Sequence, residues 1–136
     1  MEIVQDTAQQ IAAVRRFNRY YTRQIGVLRK TFLDSPYSLA EARVLYEIAS
    51  HRAPTASDIA RHLDLDPGYL SRVLRNFEKR GLIRRETSPK DGRQSHLTLT
   101  PRGKKSFVPL DARSQRDTAA MLGKLAPADQ ARLVAA

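Results

Sequence analysis

The sequence contains no cysteine. Without a thiol there is no disulfide, no thiolate zinc site, no thiol redox switch and no cysteine nucleophile. Long apolar runs are missing too. None approaches the ~20 residues that a membrane helix needs, so no membrane partner is expected. The first ten residues, MEIVQDTAQQ, lack the basic start and apolar stretch of a secretory signal, and the expected location is the cytoplasm. Internal repeats, low-complexity tracts and long linkers are absent. Negative charge is scarce: 14 Asp and Glu stand against 24 Lys and Arg.

What is present is a chain of 136 residues, 41% hydrophobic, enough for one domain and one modest core. The net charge is +10 and the pI about 10.5. The excess is uneven. Residues 1–60 hold 8 basic and 6 acidic side chains, residues 61–105 hold 12 and 5, and residues 106–136 hold 4 and 3. A basic excess gathered in one third of a chain points to a polyanion, with nucleic acid the default and a solubilising surface the plainer alternative.

The spacing predicts a helix over Ile3–Phe32. Ile11, Val14, Tyr21, Ile25, Leu28 and Phe32 recur at three and four residues, with Asn18 in the one polar slot. Phe17, Tyr20 and Val27 make a second stripe, so the helix has room for two partners, its own core and a second subunit. DSPY at 34–37 breaks it. Ser38 with Glu41 then opens a second helix through Leu39, Ala42, Leu45, Tyr46 and Ala49, which Pro54 stops. Thr55 with Asp58 repeats the capping pattern ahead of a short helix whose inner face is Ala56, Ile59, Ala60 and Leu63. The turn DLDP follows, and Asp66–Pro67 caps and starts another helix that runs to Arg80 and stops at Gly81. LIRRET and SHLTLT read as strands, with Ile83, Leu97 and Leu99 inward, joined by the polar turn SPKDGRQ. Thr100–Pro101 starts a helix through Phe107, Leu110, Ser114 and Leu122 that ends at Gly123. APADQARLVAA begins the last.

That order is mainly α: a winged helix-turn-helix with a two-stranded β-wing and flanking N- and C-terminal dimerisation helices. The expected division is a single domain over 1–136, with 38–100 as the winged part and 1–34 and 101–136 as the dimerisation helices.

In the helix from Pro67, Leu70, Val73, Leu74 and Phe77 share one face. At 100° per residue the opposite face presents Gly68, Arg72, Arg75 and Lys79, flanked by Tyr69, Ser71 and Asn76. One face suits a core and the other an anion. Arg can grip guanine edges bidentately, Asn and Ser can bond bases or phosphates, and Gly68 allows close approach. A solvated basic face is the bland reading, but second place in a helix-turn-helix favours DNA. At the hairpin tip, Lys90 and Arg93 suit the negative minor groove, with Asp91 placed to hold Arg93.

The stretch DPGYLSRVLRNFEKRGLIRRETSPKDGRQSHLTLTPRG resembles the core of the MarR family of bacterial regulators. That family's wing pattern, Asp-x-Arg, five residues, Leu-Thr, two residues, Gly, is met by Asp91, Arg93, Leu99, Thr100 and Gly103. Its Leu-Glu-x-x-Gly-Leu-Ile pattern is met by Phe77, Glu78, Gly81, Leu82 and Ile83, with Phe in place of Leu. The resemblance implies a homodimer, formed by the terminal helices, that binds double-stranded DNA at pseudo-palindromic promoter sites. It also implies release by a small aromatic effector. Phe17, Tyr20, Tyr21, Tyr37 and Tyr46 are the candidate lining of such a pocket, although aromatics at helical spacing are more often core.

The last helix is shorter than the family's usual one. The start of the chain and RLVAA also resemble the front half of fusions between a MarR-like domain and a GNAT-type acetyltransferase. The alternative is therefore a regulatory N-terminal domain of such an enzyme, with DNA binding secondary. No acetyl-CoA loop of the Arg/Gln-x-x-Gly-x-Gly/Ala kind occurs, so no enzymatic activity is expected of this chain. His51, His62 and His96 sit on separate elements without metal-ligand spacing, and no metal or cofactor is expected. Asp64 and Asp66 read as caps, and no serine has a His/Asp arrangement in sequence to make it a nucleophile.

Overall fold

The computed structural model describes residues 6–25, 35–87 and 95–136. They form two compact units, residues 1–39 and 40–136. The order is α1 (Thr7–Ile25), α2 (Leu39–Ser50), α3 (Ala56–Leu63), α4 (Pro67–Lys79), β1 (Ile83–Thr87), β2 (Ser95–Leu99), α5 (Pro101–Gly123) and α6 (Pro127–Ala135). The expected sequence of elements is thus observed. Residues 3–5 and 26–32 of the first expected helix, Val27 of its second stripe included, lie outside the described residues.

The core belongs to the second unit. Val44, Leu45 and Ile48 of α2, Ile59 of α3, Leu70, Val73, Leu74 and Phe77 of α4, Leu82, Ile83, Leu97 and Leu110 are buried. On α2 the inward face differs from the expected one. Ala42 and Leu45 are buried as expected, but Tyr46 and Ala49 are exposed, and Val44 and Ile48 take the inward places. A stripe through Val44, Leu45 and Ile48 removes more apolar area from water than one ending in alanine and a polar-tipped tyrosine.

Local signals fix the boundaries. Thr55 and Asp58 close a reciprocal capping box: the Asp58 N–H donates to Thr55 Oγ1 at 3.1 Å, and the Thr55 N–H donates to Asp58 Oδ2 at 3.0 Å. The Thr55 backbone N–H bond holds the Asp58 carboxyl below the usual carboxylate range, helped by the Thr55 hydroxyl; burial opposes this, and Arg61 adds a lesser lowering. Asp66 caps α4 by accepting from the Tyr69 N–H at 2.9 Å. Thr100 caps α5, accepting from the Gly103 N–H at 3.0 Å. Gly81, at φ +72, ends the α4 segment in the left-handed region that glycine enters freely.

β1 and β2 pair antiparallel, with Ile83 opposite Leu99 and Arg85 opposite Leu97. The sheet has a further edge contact that the sequence did not announce. Thr55 bridges His96, the Leu97 N–H donates to Pro54 O at 2.9 Å, and His96 Nδ1 lies 2.7 Å from Ala53 O. The segment before α3 is thereby tied to the wing. Helix α5 leaves this core on a close contact: a Cβ at Gly103 would sit 2.0 Å from Leu82 O. Beyond Leu110, α5 buries nothing, although Pro109, a helix-interior proline that the sequence reading passed over, lies inside it.

Candidate nucleic-acid interface

Helices α3 and α4 pack together, joined by the turn at 64–66, with Asp64 in the left-handed conformation at φ 52. The buried stripe Leu70–Val73–Leu74–Phe77 sets the rotation of α4 about its axis. That rotation leaves Gly68, Arg72, Arg75, Asn76 and Lys79 exposed and Tyr69 and Ser71 half-buried. Arg75 reaches back one turn, its guanidinium 3.4 Å from Ser71 Oγ. Gly68 has a nearer duty than close approach to a ligand. A Cβ there would press to 3.1 Å from Asp66 Oδ2, the carboxylate oxygen that caps the helix.

Some of the positive charge is already used within the fold. Arg85 on β1 pairs with Glu78 on α4, which ties the wing strand to the end of that helix. Arg61 on α3 pairs with Asp58 at 2.9 Å. Arg72, Arg75 and Lys79 instead stand on the side of α4 away from the core, where an anionic rod could lie along them.

A helix-turn-helix closed by a two-stranded antiparallel wing, with a basic second helix, is the setting in which the MarR family matches the chain, over residues 37–95. The sequence is 29% identical over 125 residues to the putative transcriptional regulatory protein for the hcr operon of Thauera aromatica, covering 92% of this chain and 69% of that protein. Among solved structures, Bordetella bronchiseptica BpsR, studied for regulation of its DNA binding by 6-hydroxynicotinic acid, is 25% identical. It superposes with a TM-score of 0.72 over 92% of this chain and 93% of its own. Staphylococcus aureus MepR in complex with DNA is 20% identical with a TM-score of 0.71, over 91% of this chain and 90% of its own, and shares the fold.

Gly103, read in the sequence as part of the wing motif, lies past the matched residues 37–95. Its missing side chain lets the first turn of α5 meet the Leu82 backbone. The tip residues Lys90, Asp91 and Arg93 lie outside the described residues; β1 and β2 on either side of them are in register.

The five candidate effector-pocket aromatics are distributed differently from one another. Phe17 and Tyr21 stack, with ring centroids 5.4 Å apart and planes 12° from parallel, and both are exposed, as is Tyr20. Tyr37 is buried. Tyr46 is exposed and tilts against Phe107 at 6.4 Å. A cavity of about 460 Å³ opens between α3, α4 and β1, where Ala60, Arg61, Leu70, Ser71 and Arg85 contribute to its wall and none of the five aromatics does.

A cluster that sequence spacing concealed lies near the C-terminal end of α3. His51, just past the end of α2, and His62, on α3, both approach the carboxylate of Glu47. Eleven positions separate the two histidines, and only the turn between α2 and α3 unites them.

Proposed function

We propose that this chain is a sequence-specific, DNA-binding transcription regulator that works as a homodimer and lets go of DNA when a small aromatic compound binds. The observation that carries the DNA reading is the outward face of α4. Arg72, Arg75, Asn76 and Lys79 are held in solvent by a stripe whose members are nearly all inaccessible, in the second helix of a MarR-family helix-turn-helix. In such motifs the second helix enters the major groove. A surface used for protein contacts would expose apolar anchors at those positions rather than arginines. Gly68, Tyr69 and Ser71 belong to the end of α4 that enters the groove first, and Lys90, Asp91 and Arg93 are assigned to the wing's contact with the minor groove.

The dimer reading rests on α1. None of its residues is buried, yet Ile11, Val14, Phe17 and Tyr20 are each more than half exposed along one side of the helix. A second copy of the same helix is the simplest cover, and a two-fold dimer would set two α4 helices about one DNA turn, ~34 Å, apart. The effector reading is supported by BpsR, whose DNA binding is regulated by 6-hydroxynicotinic acid. The relatives named above favour a regulator of transcription over the regulatory half of an acetyltransferase, and the chain itself is assigned no catalytic role.

Fluorescence anisotropy on duplex DNA across a salt series tests the reading. Affinity should fall steeply with salt, because each neutralised phosphate releases counterions. Arg72→Ala and Arg75→Ala should each cost about 1–3 kcal/mol and relax base preference at one position. Loss of affinity with an unchanged preference would reassign both arginines to phosphates. Salt-insensitive binding, or none, would overturn the proposal. Added 6-hydroxynicotinic acid and related aromatic acids serve as effector probes in the same assay.

A further inference from the structure

Glu47, His51 and His62 converge on one point of the winged domain. His51 Nε2 lies 3.1 Å and His62 Nδ1 3.2 Å from the same carboxylate oxygen, Glu47 Oε2. All three ligand atoms fall within 4.8 Å of one another. The two imidazoles face each other, centroids 5.4 Å apart and tilted by 50°. Each imidazole side chain is about half exposed (49% and 47%), whereas that of Glu47 is only 13% exposed. The carboxylate is therefore held by the fold, and the two rings are free to adjust around it.

We propose that these three residues bind a divalent transition-metal ion, with Zn2+ the natural occupant. Two imidazoles and one carboxylate are a donor set of borderline softness, suited to Zn2+ and its neighbours and not to the oxygen-seeking Mg2+ or Ca2+. The distances fit. An ion about 2.0–2.1 Å from each donor in tetrahedral geometry sets the donors roughly 3.3 Å apart, close to the two nitrogen–oxygen separations observed. A small turn of either ring brings in the third edge. The open side of the rings leaves the fourth position to water.

The placement gives the ion a mechanical consequence. Glu47 belongs to the last turn of α2 and His51 follows its end, while His62 belongs to α3, the first helix of the helix-turn-helix. The connection between them contains Ala53 at φ 49, a left-handed conformation that costs a non-glycine residue free energy. A metal bridging its two ends closes that loop and holds α3 at a fixed angle to α2. Because the ion binds the folded arrangement and not the unfolded chain, it stabilises the winged domain by mass action.

The test uses the full chain, free of any polyhistidine tag and stripped with chelator. Calorimetric titration with Zn2+ should give one site per chain, and Zn2+ should raise the thermal midpoint. Glu47→Gln, His51→Gln and His62→Gln should each weaken Zn2+ binding by at least about tenfold and abolish the thermal shift, while His96→Gln keeps both. Far-UV circular dichroism of the metal-free variants reports whether each still folds. Co2+ on the unmutated chain provides a readout that needs no variant: the strong visible absorption of four-coordinate cobalt is expected. A weak six-coordinate spectrum, binding no tighter than that of the His62→Gln chain, or a thermal shift that survives all three substitutions would overturn the site.

Discussion

Helices α1 and α4 carry the same kind of signal and meet different fates. Both repeat apolar side chains at three and four residues. In α4 the stripe is buried almost completely, with Phe77 inaccessible and Leu70 and Leu74 at 1%. In α1 nothing is buried, and Val14 and Phe17 remain 58% and 52% exposed. Amphipathic periodicity therefore specifies a face and leaves open what covers it. Helix α4 meets α3 and β1 within the chain, and its polar face stays in solvent. The apolar face of α1 is what the proposed dimer covers.

The sharpest way to break the comparison is to truncate one ring in each helix. Phe77→Ala should destabilise the winged domain by about 3–5 kcal/mol, a loss that urea unfolding would register as a shift of midpoint or outright unfolding. Phe17→Ala should leave the helical content of the winged domain intact and loosen the dimer by about 1–2 kcal/mol, visible in sedimentation equilibrium. If the two substitutions gave the same unfolding penalty at a protein concentration where the chain is monomeric, α1 would be core and not interface.

Gly103→Ala sharpens the contrast on the α5 side. The added methyl would overlap the Leu82 carbonyl, so the start of α5 must shift, at a cost of about 1–3 kcal/mol. Gly123, with nothing within 4 Å of a Cβ, should accept alanine without loss. Equal unfolding midpoints for the two variants would show that α5 is not held where its first turn meets the wing.

The smallest expected effect lies at the start of α3. Thr55→Ala removes a cap and should cost about 1 kcal/mol. Because Asp58 titrates below its ordinary value in the folded chain, its contribution is present above the unfolded carboxylate value and fades as pH falls through the folded one. The stability gap between the natural chain and Asp58→Asn should therefore narrow below about pH 4. A gap that stayed constant from neutral to acid pH would remove the ionised carboxylate from the account.

Much of this is legible in the sequence, for identifiable reasons. Caps, proline-started helices and left-handed glycines are local, so Thr55, Asp66, Thr100 and Gly81 disclosed where elements begin and end. The outward face of α4 was legible because its core face is unambiguous. On α2, by contrast, two overlapping stripes were available, and only packing chose Val44 and Ile48 over Tyr46 and Ala49. The Glu47–His51–His62 cluster was hidden because its members meet through the turn between two helices, which no residue spacing encodes. The bridge from Thr55 to His96 is hidden because it joins the segment before α3 to β2, far apart in the sequence.

The central claim is that two α4 helices, related by two-fold symmetry, read DNA together. Selection of bound duplexes from a random pool by the purified chain tests it most directly. The account predicts an enriched pseudo-palindrome with half-site centres about 10 base pairs apart, whose specificity at one position per half-site relaxes in the Arg72→Ala chain. Enrichment of a single unrepeated motif, or of no motif at all, would contradict it.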